Sequence, residues 1–320
     1  MKTEPLLDPS SARNNLFPIV YNEVWKFYDV HKSSHWTAEE IPYTADLNDW
    51  NSRLDENERH FIKMVLTFFA NSDVIVNEKE EKDSFLIQIP EVKFYIRNKM
   101  AREDEHTITY LRHFETLITD PEERTKLFNA IETVPVIANK AKWCKRYING
   151  DDFVRRIIAF AIVEGIFFSS SFCSIFWLKK RGLMSALCTS NEFISRDEGS
   201  HRDFACLLYR TLIVNKLPTR DIVSMIKESV LLEQQFVKEA LPVTLIGMKS
   251  ETMCQYVEYV ADLLSIELID KKIYCSENPF PWMNLTNIKT NFFDKAVSDY
   301  SFTSVSNSNR DNEIRFDEDF

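Results

Sequence analysis

Two of the six histidines are preceded three residues earlier by glutamate, giving the pairs Glu103/His106 and Glu198/His201. With Glu at roughly one position in ten, chance would supply about half of one such pair. At this spacing a helix projects a carboxylate and an imidazole side by side from one face. A single pair is ordinarily a solvated helix face, but both of these sit in helical runs with apolar surroundings. Two further acids interrupt apolar runs: Asp73 in FIKMVLTFFANSDVIVNE, and Glu164, the sole charge in IIAFAIVEGIFFSSSFCSIFWL. An unpaired carboxylate at Glu164 would cost several kcal/mol or take up a proton, and a metal ion removes that cost. Four carboxylates and two neutral imidazoles make a hard oxygen and nitrogen donor set, suited to iron or manganese and unsuited to thiolate-rich zinc. Tyr110 follows His106 by one turn on the same face, which places it beside the metals. Phe168 and Phe172 follow Glu164 at helical spacing and Ile194 precedes Glu198 by four, an apolar enclosure that would keep water and reductants from an oxidised phenol.

The elements that must hold these residues are helices. The 320 residues include only 5 Gly and 11 Pro, too few for the repeated left-handed turns of hairpin-rich folds, while 24 Phe help to fill a core. A net charge of −10 excludes a general nucleic-acid binder, which needs a basic surface. The six cysteines form no C-x-x-C pair and read as reduced thiols of a cytoplasmic protein. Residues 1–15 lack a signal peptide's apolar run and are expected to be mobile. Ile157 to Leu178 could cross a bilayer by length, yet a mean hydropathy of −0.27 for the chain favours a helix buried in a bundle without a membrane.

Apolar periodicity predicts a short helix over Leu16 to Tyr28 and an irregular connection over Pro42 to Asn48. A long helix follows the capped, acidic turn Asp55 to Glu58, and the next runs from Pro90 to Ile118. Asp120-Pro121 opens a helix continuing to Ile148, the buried helix ends near Gly182, and another runs from Ala186 to Leu212. Asp221 to Leu245 and Thr252 to Asp270 complete the set, before an irregular segment over Tyr274 to Leu285. Gly165 and Gly199 directly follow Glu164 and Glu198, and close helix approach is expected at both. The order Asp, Glu-x-x-His, Glu, Glu-x-x-His along four helices matches an all-α, ferritin-like bundle with a di-metal carboxylate core.

Longer runs sharpen this reading. NAIET (Asn129 to Thr133), VEGIFFSSSFCSIFWLKKRGLM (Val163 to Met184), ISRDEGSH (Ile194 to His201) and KTNFF (Lys289 to Phe293) resemble the small, radical-bearing subunit of class I ribonucleotide reductase, of the eukaryotic and large-DNA-virus type. The resemblance covers residues 16–320. It implies two irons per chain rather than manganese, oxo-bridged when oxidised, on Asp73, Glu103, His106, Glu164, Glu198 and His201. It also implies a stable tyrosyl radical on Tyr110, formed when molecular oxygen meets the diferrous site. Trp36 in HWTAEE would pass an electron, Asp197 would link it to His106, and Tyr300 in VSDYS would hand the radical across a subunit interface. The ending Ile314–Phe320, with FDEDF, resembles the peptide that docks on the large subunit, where ribonucleoside diphosphates become deoxyribonucleotides. The implied organisation is a mobile 1–15, a di-iron domain over 16–300 that forms a homodimer, and a disordered docking tail over 301–320. Departures from the family pattern are Arg102, Asp104 and Glu105 beside the first pair, Val74 after Asp73, and His35 before Trp36. They keep open a metal-poor companion subunit, with another ferritin-like di-iron oxidase as the remaining alternative.

Overall fold

The computed structural model describes the backbone of residues 3–148 and 150–286, with side chains for these except 71–84, 128, 130–133, 245 and 284–286. Ten α-helices and no strand occur among the described residues. They are α1 (Asn22–Ser33), α2 (Glu56–Leu86), α3 (Pro90–Leu117), α4 (Pro121–Thr133), α5 (Pro135–Ile148), α6 (Phe153–Ile162), α7 (Ser169–Lys180), α8 (Ser185–Leu212), α9 (Thr219–Glu239) and α10 (Ser250–Ile269). All lie within the unit Met1–Pro281.

Local chemistry explains most boundaries. Asp55 and Glu58 cap α2 reciprocally: Glu58 N–H donates to Asp55 Oδ1 at 2.8 Å and Asp55 N–H to Glu58 Oε2 at 3.0 Å. The single helix expected from Asp120 to Ile148 is two, because Pro135 lacks an N–H and disfavours helical backbone at Val134. The first helix starts at Asn22 rather than Leu16, and α9 stops at Glu239, short of Pro242. The connection over Pro42 to Asn48 has a function in capping α8. Ala186 and Leu187 donate their N–H groups to the two oxygens of Asp46, and Met184 N–H donates to Asp49, all at 2.8 Å.

The long apolar segment is α6, a π-turn over Val163–Phe167, and α7. Its most apolar window is 94% buried inside the fold, as a core helix requires. A Cβ on Gly165 would stand 2.9 Å from Arg202 Cδ and 3.6 Å from Leu264 Cδ2, so glycine admits α8 and α10 against the π-turn. At Gly199 nothing lies within 4 Å of such a Cβ, and the close approach expected there is absent. Residues of the stretch 1–15 make specific contacts. Leu6 is fully buried, Glu4 accepts from the N–H groups of Val214 and Asn215, and Arg13 pairs with buried Glu91 at 2.5 Å. Tyr300 and the tail 301–320 lie outside the described residues.

Buried His113 on α3 meets Ser190 Oγ at 2.9 Å through Nε2 and stands edge-on to the Tyr43 ring. Burial pushes its pKa from 6.5 down to about 3. The unfolded chain therefore binds a proton that the native state refuses across this window. Stability is full above pH 6.5 and falls as pH falls toward 3, by up to about 1.4 kcal/mol per pH unit. His113→Gln is expected to flatten the dependence of the urea midpoint on pH between 7 and 5; an unchanged slope would refute the assignment.

Candidate metal centre

Each half of the site comes from one long helix. On α3, Lys99, Arg102, Glu103, His106 and Tyr110 recur at three- and four-residue steps and are all buried. On α8, Asp197, Glu198 and His201 do the same. The π-turn brings Glu164 in from a third element. Ligand atoms of Glu103, Glu164, Glu198 and His201 all lie within 4.8 Å of one another, and all four residues are buried. His106 completes the group, its Nδ1 3.1 Å from Glu103 Oε2 and 3.0 Å from Glu198 Oε1. His201 Nδ1 mirrors it, 3.0 Å from Glu103 Oε1 and 3.1 Å from Glu198 Oε2. Asp73 falls on α2, and its side chain lies outside the described residues.

The outer nitrogens of the two imidazoles are held differently. His106 Nε2–H points at Asp197 Oδ2 at 3.3 Å, and the same oxygen accepts the Trp36 indole N–H at 2.8 Å. The indole stacks on the His106 ring with centroids 5.9 Å apart. On the other side, Asn98 Oδ1 accepts His31 Nδ1–H at 2.6 Å, which leaves His31 Nε2 as the acceptor facing His201 Nε2 at 3.1 Å. Burial, reinforced by His201, holds the His31 pKa down to about 3, so this ring is neutral. Both routes hold a proton on the outward nitrogen, so that an imidazole giving up the proton its Nδ1 shares with the carboxylates would present that lone pair to a metal.

Charge follows from these contacts. Burial opposes ionisation of His106, but Asp197, Glu103 and Glu198 overcome it and raise its pKa well above 6.5. Glu198 is desolvated and faces Glu103, yet the two imidazoles bring its pKa down to about 2. Glu164 moves the other way. Desolvation, with repulsion from Glu198 and Glu103, lifts its pKa well above the usual carboxylate range despite the attraction of Lys99. Glu103 Oε1 is buried and, for all its near neighbours, has no hydrogen-bond partner. Converging carboxylates, two imidazole Nδ1 atoms turned toward them and an orphaned oxygen fit a divalent metal pair.

Tyr110 is 4% exposed, and its ring stacks on Phe69 with centroids 4.6 Å apart. Phe69 in turn meets Phe172 at 5.2 Å and Phe168 at 6.0 Å, so the expected enclosure is built through a residue the helical spacing did not single out.

Residues 13–279 match the family model of the ribonucleotide reductase small chain. The chain belongs to that family. The ribonucleoside-diphosphate reductase small subunit of Dictyostelium discoideum is 50% identical over 328 residues, covering 99% of this chain and 97% of that one. Small chain 1 of Saccharomyces cerevisiae is 48% identical over 327 residues, covering 100% and 82%. The Rnr4 homodimer structure of Saccharomyces cerevisiae superposes with a TM-score of 0.82 at 32% identity, over 93% of each chain. The R2 subunit of Clostridium botulinum, with a TM-score of 0.77 at 22% identity over 86% of this chain and 91% of that one, shares the fold. This reductase small chain is therefore a ferritin-like, all-α subunit of an oxidoreductase.

Set against the family pattern, the unusual charges of this small chain turn away from the carboxylate cluster. Asp104 and His35 are exposed. Glu105 accepts the N–H of Ala38 at 2.7 Å and so supports the turn that follows Trp36. Arg102 is the exception: it is 2% exposed, donates to Trp36 O at 2.8 Å, and lies 3.7 Å from Asp197. Sequence reasoning did not single out His31, Asn98 or Lys99. Lys99 carried a readable signal, since it stands four residues before a glutamate that has to be buried.

Proposed function

We propose that this small chain generates and stores a tyrosyl radical. In this reading Asp73, Glu103, His106, Glu164, Glu198 and His201 hold two iron ions, Tyr110 carries the radical, and Trp36, Asp197 and Tyr300 pass it on. The observation that carries the reading is the unbroken line from the Trp36 indole through Asp197 Oδ2 to His106, whose Nδ1 faces the carboxylates. A ferrous pair, when bound, would supply affinity for oxygen and part of the electrons that oxygen takes up, leaving an oxidant that would draw a further electron from the phenol.

The chain's own residues do the rest. Phe69, Phe168 and Phe172 keep water and reductants from the phenol. Asp197 accepts the indole N–H and the imidazole N–H at one oxygen, so it orients both rings and compensates positive charge on either. Arg102 and Arg196, 3.7 Å and 3.5 Å from Asp197, favour its ionised form. The hydrogen bond and charge of His106, with His31 and Arg196 beside it, hold the Asp197 pKa below the usual carboxylate range in spite of burial.

The partner in this proposal is the large catalytic subunit, where ribonucleoside diphosphates are reduced in the cytoplasm. Within 301–320, the segment Ile314–Phe320 would dock on it, alternating apolar residues with acids as a peptide folding onto a groove does. Two small chains would pair through the helical domain over 16–300, a reading supported by the homodimeric yeast Rnr4 structure. Loading the metal-free protein with ferrous iron, admitting oxygen and recording electron paramagnetic resonance tests the proposal. A tyrosyl signal accompanied by two irons per chain is expected; a chain that binds iron and gives no such signal would overturn it.

A further inference from the structure

We propose that Lys99 is a built-in counter-cation of the carboxylate cluster and sets how tightly the ion beside Glu164 is held, an inference that rests on the metal-centre reading above. Lys99 stands one turn before Glu103 on α3 and is 4% exposed. Its Nζ donates to Glu164 Oε1 at 2.8 Å and lies 3.5 Å from Glu103 Oε1. Its ammonium thus touches one carboxylate of the donor set and borders a second, inside a group whose ligand atoms span no more than 4.8 Å.

Two consequences follow from charge and space. Asp73, Glu103, Glu164 and Glu198 together carry four negative charges, which two divalent ions already balance with neutral imidazoles. Lys99 adds a fifth positive charge in a buried place where water and salt screen it little. An ion that takes Glu164 Oε1 therefore competes with Nζ for the same lone pairs and meets its repulsion. The ammonium also has somewhere to go. Lys99, Glu164 and His201 share the wall of one cavity, otherwise lined mainly by apolar side chains such as Ile96, Phe160 and Phe204. An incoming ion can displace Nζ into that space without unpacking the helices.

The test is a titration of the metal-free full-length protein with Mn(II), reading free Mn(II) by its paramagnetic resonance signal. Lys99→Met and Lys99→Gln, which remove the charge, are expected to bind the second Mn(II) about tenfold or more tightly than the parent. Lys99→Arg, which keeps the charge, is expected to follow the parent curve. Neutral variants that bind no more tightly than the parent, or an Arg variant that gains as much as they do, would overturn the inference. Two neutral variants are included so that one which fails to fold leaves the other decisive. Absence of Mn(II) binding in every protein would instead overturn the metal-centre reading, and this inference with it.

Discussion

Replacing Tyr110 by phenylalanine is expected to abolish the tyrosyl signal and to reduce turnover with the large subunit at least ~1,000-fold, equivalent to ~4 kcal/mol or more of barrier. Metal binding should be unchanged, because the proposed donors are carboxylates and imidazoles and do not include the phenol. The packing argument makes the substitution conservative. The ring is 4% exposed and stacked on Phe69 with planes 10° apart, an arrangement phenylalanine reproduces. What is lost is the phenol alone. Trp36→Phe supplies the contrast: the Asp197 contact disappears, so transfer to the partner should fail while the signal on Tyr110 still forms. A tyrosyl signal that survives Tyr110→Phe would assign the radical elsewhere.

Lys140→Met is expected to lower the unfolding free energy by about 3–5 kcal/mol, the usual cost of leaving a buried charge without its partner. Lys140 is 4% exposed and Glu233 is fully buried. Lys140 Nζ donates to Glu233 Oε2 at 2.7 Å and to Phe167 O at 2.8 Å, over the ring faces of Phe68 and Phe236 at 4.2 Å and 4.1 Å. Ser170 Oγ donates to the other glutamate oxygen. Burial still pushes the lysine pKa down and the glutamate pKa up, against their mutual attraction. The pair is therefore a poor source of net stability and a severe liability when broken. The double variant Lys140→Met/Glu233→Gln, whose amide keeps a partner for Ser170, should recover at least half of the loss in urea denaturation. A double variant as unstable as Lys140→Met alone would show that packing, not the orphaned charge, sets the effect.

The buried cluster of Glu103, His106, Glu164, Glu198 and His201 was legible because chemistry left marks on composition: an acid in an apolar run, and carboxylate–imidazole pairs at helical spacing. Trp36 and Asp197 came from family resemblance, since no periodicity joins residues 161 positions apart. What remained hidden was of a different kind. Lys99 reads in one dimension as an ordinary salt bridge on a helix surface, and only the burial of its face gives it another meaning. His31 and Asn98 sit on separate helices, and neither type is distinctive alone. In an all-apolar run the helical period carries no information, so the π-turn at Val163–Phe167 could not be seen. The break at Pro135 was visible in the sequence, and its effect on Val134 is the ordinary one.

That π-turn divides the central helix into two segments that are out of phase. Relative to regular winding it accommodates roughly one extra residue, which turns the faces downstream by ~100°. Within the turn, Glu164 is aimed at α3 and α8 and Phe167 O faces Lys140 on α5. Deleting a single residue here would bring the halves back into phase and swing the ligand off its target with every apolar side chain still buried. The stretch should thus tolerate exchange of Ile166 for another aliphatic residue and resist any change in its number of residues. Apart from Glu164 and Gly165, length rather than side-chain identity is what this segment has to keep for the carboxylate to reach its partners.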